Sequence, residues 1–280
     1  MANELPCSQK MFRLELADWL PVWYGAHLRR LRHLMERLGQ DSALAVWQEV
    51  TRGDDDPHLV EILAGGGQEA APEKAVAVEA RIAELPGRYF RAAVEGVPGE
   101  GARGLVEQMP PIRQIRQLRP SLNVWRDTTT YEALHLGSDG AARLVEALIR
   151  RHGKQGELIA YDMVHEGRIA AWAGQTGSVA EFMTSFTQEP DEPDMFTAGL
   201  RQEIVRASDR EAVVHVHECE WARYYRERHP QVGYLMACST DEAACRSYNK
   251  DLRLQRTTTL MEGGKSCDFR VYAVEEADAS

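Results

Sequence analysis

Apolar residues recur at helical spacing early in the chain. Leu28, Leu31, Leu34, Met35 and Leu38 share one face, and Gly39 stands where such a helix stops. Residues 11–51 read as two helices, the second capped by Asp41 and running from Ser42 to about Thr51. Gly53-Asp54-Asp55-Asp56-Pro57 breaks the pattern. Residues 53–104 are rich in Gly, Ala, Pro and Glu, and read as a surface excursion or lid with short helices at Glu73–Leu85 and Tyr89–Val94. From Ser138 the helical period returns. One helix opens at Ser138-Asp139, carries Leu144, Val145, Leu148 and Ile149, and ends at Gly153. A second spans about Glu157–Trp172 and carries Tyr161, Val164, His165 and Ile169. A third spans about Ser178–Thr187, before the break at Pro190–Asp194.

After Asp194 the period shortens to two. Two strands are expected around the turn Ser208-Asp209-Arg210, the second over Ala212–Glu218, where His215 and His217 point to one face. A helix at Glu220–Arg228 follows. A short apolar segment then leads into a helix capped by Ser239 or Thr240. Leu252–Leu260 alternates as the outgoing arm of a hairpin, Glu262–Ser266 makes the turn, and Cys267–Val274 returns. The class is α+β: N-terminal helices, then an antiparallel sheet of about four strands with helices packed on one face. The division expected is a mainly helical region over 1–135 and an α+β domain over 136–280, which can pack as one domain.

Composition narrows the function. The 280 residues carry a formal net charge of −10, which argues against nucleic acid as a partner, because phosphate binding needs clustered Lys and Arg. The basic run His27–His33 is interleaved with leucines and reads as the wet side of an amphipathic helix. No apolar run approaches the roughly 20 residues that span a bilayer, and the N-terminus lacks a signal-peptide pattern. No membrane partner is expected and the protein should be cytoplasmic. Its cysteines, Cys7, Cys219, Cys238, Cys245 and Cys267, should then be thiols. Cys7 lies in what reads as a frayed terminus. Cys245, on a helix, reads as a small core residue.

Four features of the last quarter converge. His217-Glu218-Cys219 ends a strand, Cys238-Ser239-Thr240-Asp241 reads as a strand-to-helix junction, Arg256-x-x-Thr259 lies on the outgoing arm, and Cys267-Asp268 opens the return arm. Across an antiparallel turn, Thr259 and Cys267 should be close. Cys238-x-x-Asp241 followed by Arg256-x-x-Thr259-x-x-x-Gly263-x-x-x-Cys267-Asp268-Phe269-Arg270 resembles the C-terminal signature of the L-2-amino-thiazoline-4-carboxylic acid hydrolase family. More distantly, the hairpin is similar to that of vinyl-4-reductase-type ligand-binding domains. In the zinc-bearing relatives the hairpin supplies Glu-x-x-Cys and a further Cys. Here Arg256 and Thr259 stand in the Glu and Cys places, so the resemblance implies a poor zinc site, and no cofactor is expected.

The resemblance implies hydrolytic opening of a cyclic amidine, thiazoline-like ring that bears a carboxylate, in a biosynthetic setting. Chemistry then assigns candidate roles. Cys267 or Cys238 could attack the ring if a nearby cation lowers the thiol pKa. Asp241 or His217 could instead activate water. Arg256 could pair with the substrate carboxylate, with Thr259, Cys219 and Asp268 lining the pocket. Blander roles compete for each: a core thiol, a helix cap at Asp241, a turn cap at Asp268. The alternative function is a non-catalytic small-molecule sensor or carrier on the same sheet. The expected partners are a small-molecule substrate and, in an oligomer, further copies of the chain.

Overall fold

The computed structural model describes residues 5–15, 26, 29–51, 125–172, 177–187 and 194–274. The short helices expected at Glu73–Leu85 and Tyr89–Val94 lie outside these residues. The chain divides into two compact units. One comprises Met1–Phe12, Thr129–Leu134 and Tyr161–Ser280; the other comprises Arg13–Thr128 and His135–Ala160. The class is α+β, as the hydrophobic pattern indicates.

The second unit holds α1 (29–38), α2 (Gln40–Thr51) and the middle of α3 (Thr130–Trp172). Leu31 and Leu34 of α1 are buried, while Arg32 pairs with Glu36 on the exposed side at 2.9 Å. Of the described part of the basic run, Arg29 and Arg32 lie on the wet side of the helix, while His33 is buried with the leucines. Gly39 ends α1 with a positive φ of 76°, its N–H bonded to the Met35 carbonyl. Helix α2 starts at Gln40, so Asp41 lies in its first turn and is not its cap. Glu49 of α2 is paired with Arg150 and Arg151 of α3, which hold its carboxyl below the usual carboxylate range.

Two expectations for the helices change. Residues 11–15 form a strand, β1 (Met11–Glu15), which makes a two-stranded sheet with β2 (Trp125–Thr129). Phe12 and Leu14 are buried and alternate with exposed Met11 and Arg13, a two-residue period. Helix α3 begins at Thr130, so Ser138-Asp139 lies inside it; Asp139 is buried and pairs with Arg143 at 2.9 Å. The break expected at Gly153 is present, with φ 55° and ψ −129°, a conformation that glycine alone adopts readily.

The first unit is built on the four-stranded antiparallel sheet β3 (Leu200–Ala207), β4 (Glu211–Cys219), β5 (Leu252–Gln255) and β6 (Cys267–Ala273), in the order β3-β4-β6-β5. Ala212, Val214 and Val216 of β4 and Cys267 and Val271 of β6 form one buried face. It packs with Val179, Phe182 and Met183 of α4 (Val179–Thr187) and with Cys245 and Tyr248 of α8 (Asp241–Tyr248). Capping boxes fix two helix starts. Ser178 and Glu181 exchange backbone-to-side-chain bonds at the head of α4, as do Asp194 and Thr197 at α5 (Met195–Gly199). Helix α6 (Glu220–Arg228) has the bounds expected for it.

The outgoing arm of the hairpin is shorter than its alternation suggests. Strand β5 ends at Gln255, which faces Arg270, so Arg256 and Thr259 belong to the connection 256–266 and not to a strand. The segment before Asp241 is also helical. Helix α7 (Gly233–Met236) and a 3-10 turn (Cys238–Thr240) run into α8, making a helix-to-helix junction where a strand-to-helix one is expected. Thr240 stands at the N-cap position of α8, as expected, but neither Ser239 nor Thr240 makes a side-chain capping bond. Their hydroxyls donate backwards, to the Leu235 carbonyl at 2.7 Å and the Ala237 carbonyl at 2.9 Å, at the end of the preceding helical turns.

Candidate functional site

The 3-10 turn at Cys238 and the connection after β5 meet at one ion pair. Arg256 Nη1 donates to Asp241 Oδ2 at 2.6 Å. Its Nη2 donates to the Cys238 carbonyl at 3.1 Å and to the Tyr234 hydroxyl at 3.3 Å. The guanidinium carbon also lies 5.1 Å from the centre of the Phe269 ring and 5.7 Å from that of Tyr234. The Arg256 side chain is only 9% exposed, whereas that of Asp241 is 25% exposed. The carboxylate is therefore the end of the pair that solvent or a small molecule reaches. Three of the five guanidinium N–H groups of Arg256 donate to protein acceptors, so a bidentate grip on a substrate carboxylate would compete with these contacts.

Three thiols surround this pair. Cys267 is buried at the start of β6, and the Leu260 N–H donates to its Sγ at 3.2 Å. Cys219 ends β4 and caps α6, accepting from the Ala222 N–H at 3.4 Å. Cys238 lies in the turn itself. Electrostatic influence runs among Cys219, Cys238, Cys267 and Asp241, so they share one neighbourhood. Burial pushes the Cys219 thiol up to about 12. It also raises Cys238, to which the Asp241 carboxylate adds and which Arg256 opposes only in part. Cys267 is raised by burial too, against the Leu260 N–H and Arg256. Burial thus raises all three thiols, and the cation that would activate them is paired with Asp241.

The remaining candidates build the connection. Asp268 Oδ1 accepts from the N–H groups of Thr257 and Thr258 at 2.9 and 2.7 Å, and Oδ2 accepts from the Thr257 hydroxyl at 2.5 Å. Thr259 is 3% exposed; its hydroxyl donates to Glu262 Oε2 at 2.8 Å and accepts from the Glu262 N–H at 3.0 Å, closing the next turn. Thr259 is thus engaged within the turn, and the contact to Cys267 is made by its neighbour Leu260. His217 stands apart. It alternates with buried Val216, sits 6.2 Å from His215 ring to ring, and meets Glu203 of β3 at 3.3 Å. Cys245 is a core residue and Cys7 is not frayed: it is fully buried, with its N–H on Glu218 at 2.8 Å.

Tyr234 and Glu262 complete the neighbourhood without having been singled out from sequence, and Phe269 entered only as part of the signature, with no role given to it. Tyr234 lies in a four-residue helix that carries no motif, and Phe269 reads only as an apolar strand position. Among the described residues no three His, Cys, Asp or Glu side chains stand together as a metal-binding group. No described helix is long and apolar enough to cross a membrane.

No curated protein and no solved structure matches the chain. One family model does match, over residues 129–271, which is half of the chain and includes every candidate discussed above. The chain belongs to the L-2-amino-thiazoline-4-carboxylic acid hydrolase family.

Proposed function

We propose that the chain is a hydrolase that opens a cyclic amidine, thiazoline-like ring bearing a carboxylate, with water as the nucleophile and Asp241 as the general base. The observation that carries this reading is the partly exposed Asp241 carboxylate held by a buried Arg256 among thiols whose pKa burial raises. The family supplies the substrate class.

The reaction balances as a net addition of water. Asp241 takes one proton as the water oxygen bonds to the ring carbon between the two heteroatoms. The tetrahedral centre then collapses with cleavage of its bond to ring sulfur or nitrogen, and the proton from Asp241 goes to the departing atom. Arg256 fixes the orientation of Asp241 through the 2.6 Å contact. Cys219, Cys238 and Cys267 line the site as neutral groups, a low-polarity surround that strengthens the charged pair. Thr259 and Asp268 hold the connection that delivers Arg256.

Incubation with 2-aminothiazoline-4-carboxylate and related cyclic amidines tests this reading, with release of the ring-opened product as the readout. Turnover of at least one member is expected. If none is opened while one raises the melting temperature, the chain is a binding module and the hydrolase reading fails.

A further inference from the structure

The turn that carries Asp241 is tied to α3 by a histidine that the reaction above does not use. His165 is 6% exposed, and its ring stacks on Tyr161 with centroids 3.6 Å apart. Nδ1 lies 2.8 Å from the Tyr161 carbonyl oxygen and Nε2 lies 2.9 Å from the Ser239 carbonyl oxygen. Carbonyl oxygens only accept. A neutral imidazole has one N–H, so it can satisfy one of these contacts while its bare nitrogen faces an oxygen lone pair at the other. Only the imidazolium, with two N–H donors, satisfies both.

Ser239 is the middle residue of the 3-10 turn. On one side is Cys238, whose carbonyl accepts from Arg256; two residues on is Asp241, which pairs with the same arginine. A donor fixed on the Ser239 carbonyl therefore fixes the peptide that both ends of the pair depend on. We propose that His165, with both ring nitrogens protonated, is a positioning residue that clamps the Cys238–Asp241 turn. The clamp stands on geometry alone; its effect on turnover rests on Asp241 being the base. Among the described residues, the ionisable groups nearest in sequence to its contacts are Tyr161, Asp162 and Glu166 on the histidine's own helix, and Cys238 and Asp241 on the turn, with Arg256 bound to the latter. Loss of the second ring proton as pH rises makes one of the two contacts repulsive. Order in the turn and turnover then decline together on the alkaline side.

The test is nitrogen-15 NMR of the whole chain with labelled histidine, together with backbone amide signals of residues 238–241, in wild type, H165Q and H165F. The expected result for wild type is an imidazolium signature for His165, with its titration shifting the 238–241 signals. A glutamine amide can occupy the Nε2 place and donates at every pH, so H165Q should keep the wild-type turn signals and lose their alkaline shift. Phenylalanine donates nothing, so H165F should displace the turn signals and lower turnover by about tenfold or more. A neutral ring throughout the folded pH range overturns the proposal, as does an H165F turn with wild-type signals or an H165Q turn that keeps the alkaline shift. If H165F does not fold, the wild-type ring signature and the H165Q titration still decide. An imidazolium clamp in a chain that opens no cyclic amidine leaves the clamp standing and refutes the proposed reaction instead.

Discussion

Asp268 gathers three donors from Thr257 and Thr258 onto one carboxylate, and so shapes the backbone immediately after Arg256. Burial pushes its carboxyl up, but the bonds from the Thr257 hydroxyl and the two N–H groups outweigh that and hold it below its ordinary value. Its stabilising contribution is therefore complete above the ordinary value of 3.8 and is lost as pH falls through the lower folded-state value. D268A should cost about 1–3 kcal/mol of unfolding free energy at neutral pH. The gap between wild type and D268A, read by denaturant unfolding, should close as pH drops below 3.8. A constant gap at all pH values would mean that the charge plays no part. At this scale the sequence shows which residues cluster but not how they bond. Cys238, Asp241, Arg256 and Cys267 do come together, yet Arg256 turns to Asp241 because its own strand ends one residue earlier. No spacing rule encodes that choice.

Connection 256–266 is the element that sets the site, and its glycines are specific to it. A Cβ on Gly264 would meet Thr258 Oγ1 at 2.2 Å and the Thr259 carbonyl oxygen at 2.8 Å, while the Gly264 N–H donates to that same carbonyl. The backbone therefore passes too close for any side chain. G264A should destabilise the chain by about 1–3 kcal/mol through forced displacement of the connection. Thermal unfolding checks this, and a variant as stable as wild type would show that the connection yields freely. The Gly-Gly pair was legible as a turn, but the alternation of Leu252 to Leu260 overextended the strand before it. Past Gln255 the burial no longer follows a strand: Thr257 is exposed and Thr259 buried, although pleating would put both on one face. The reverse holds in β1, where burial alternates from Met11 to Leu14 in a stretch whose sequence was expected to be helical. Helices α4 and α6 were legible because a capping box or a change of period marks their starts.

At the scale of the whole molecule, the α+β class and the antiparallel sheet could be read from where the hydrophobic period changes, near Asp194. The family match covers the residues from the start of α3 to β6, and the site lies wholly within the unit that carries the four-stranded sheet. Residues 1–128 lie outside the match, and the sequence over 53–104 has no periodicity strong enough to assign elements beyond short helices. Within the matched half, the central claim is that a carboxylate held by arginine, and not a thiol, carries the chemistry. The most direct measurement compares ring opening of 2-aminothiazoline-4-carboxylate by wild type, D241N and the triple variant C219A/C238A/C267A. D241N should lose turnover by about a hundredfold or more, the scale of a missing general base, while the triple variant stays within about fivefold of wild type. A silent triple variant beside an active D241N would contradict the account and make a cysteine the nucleophile.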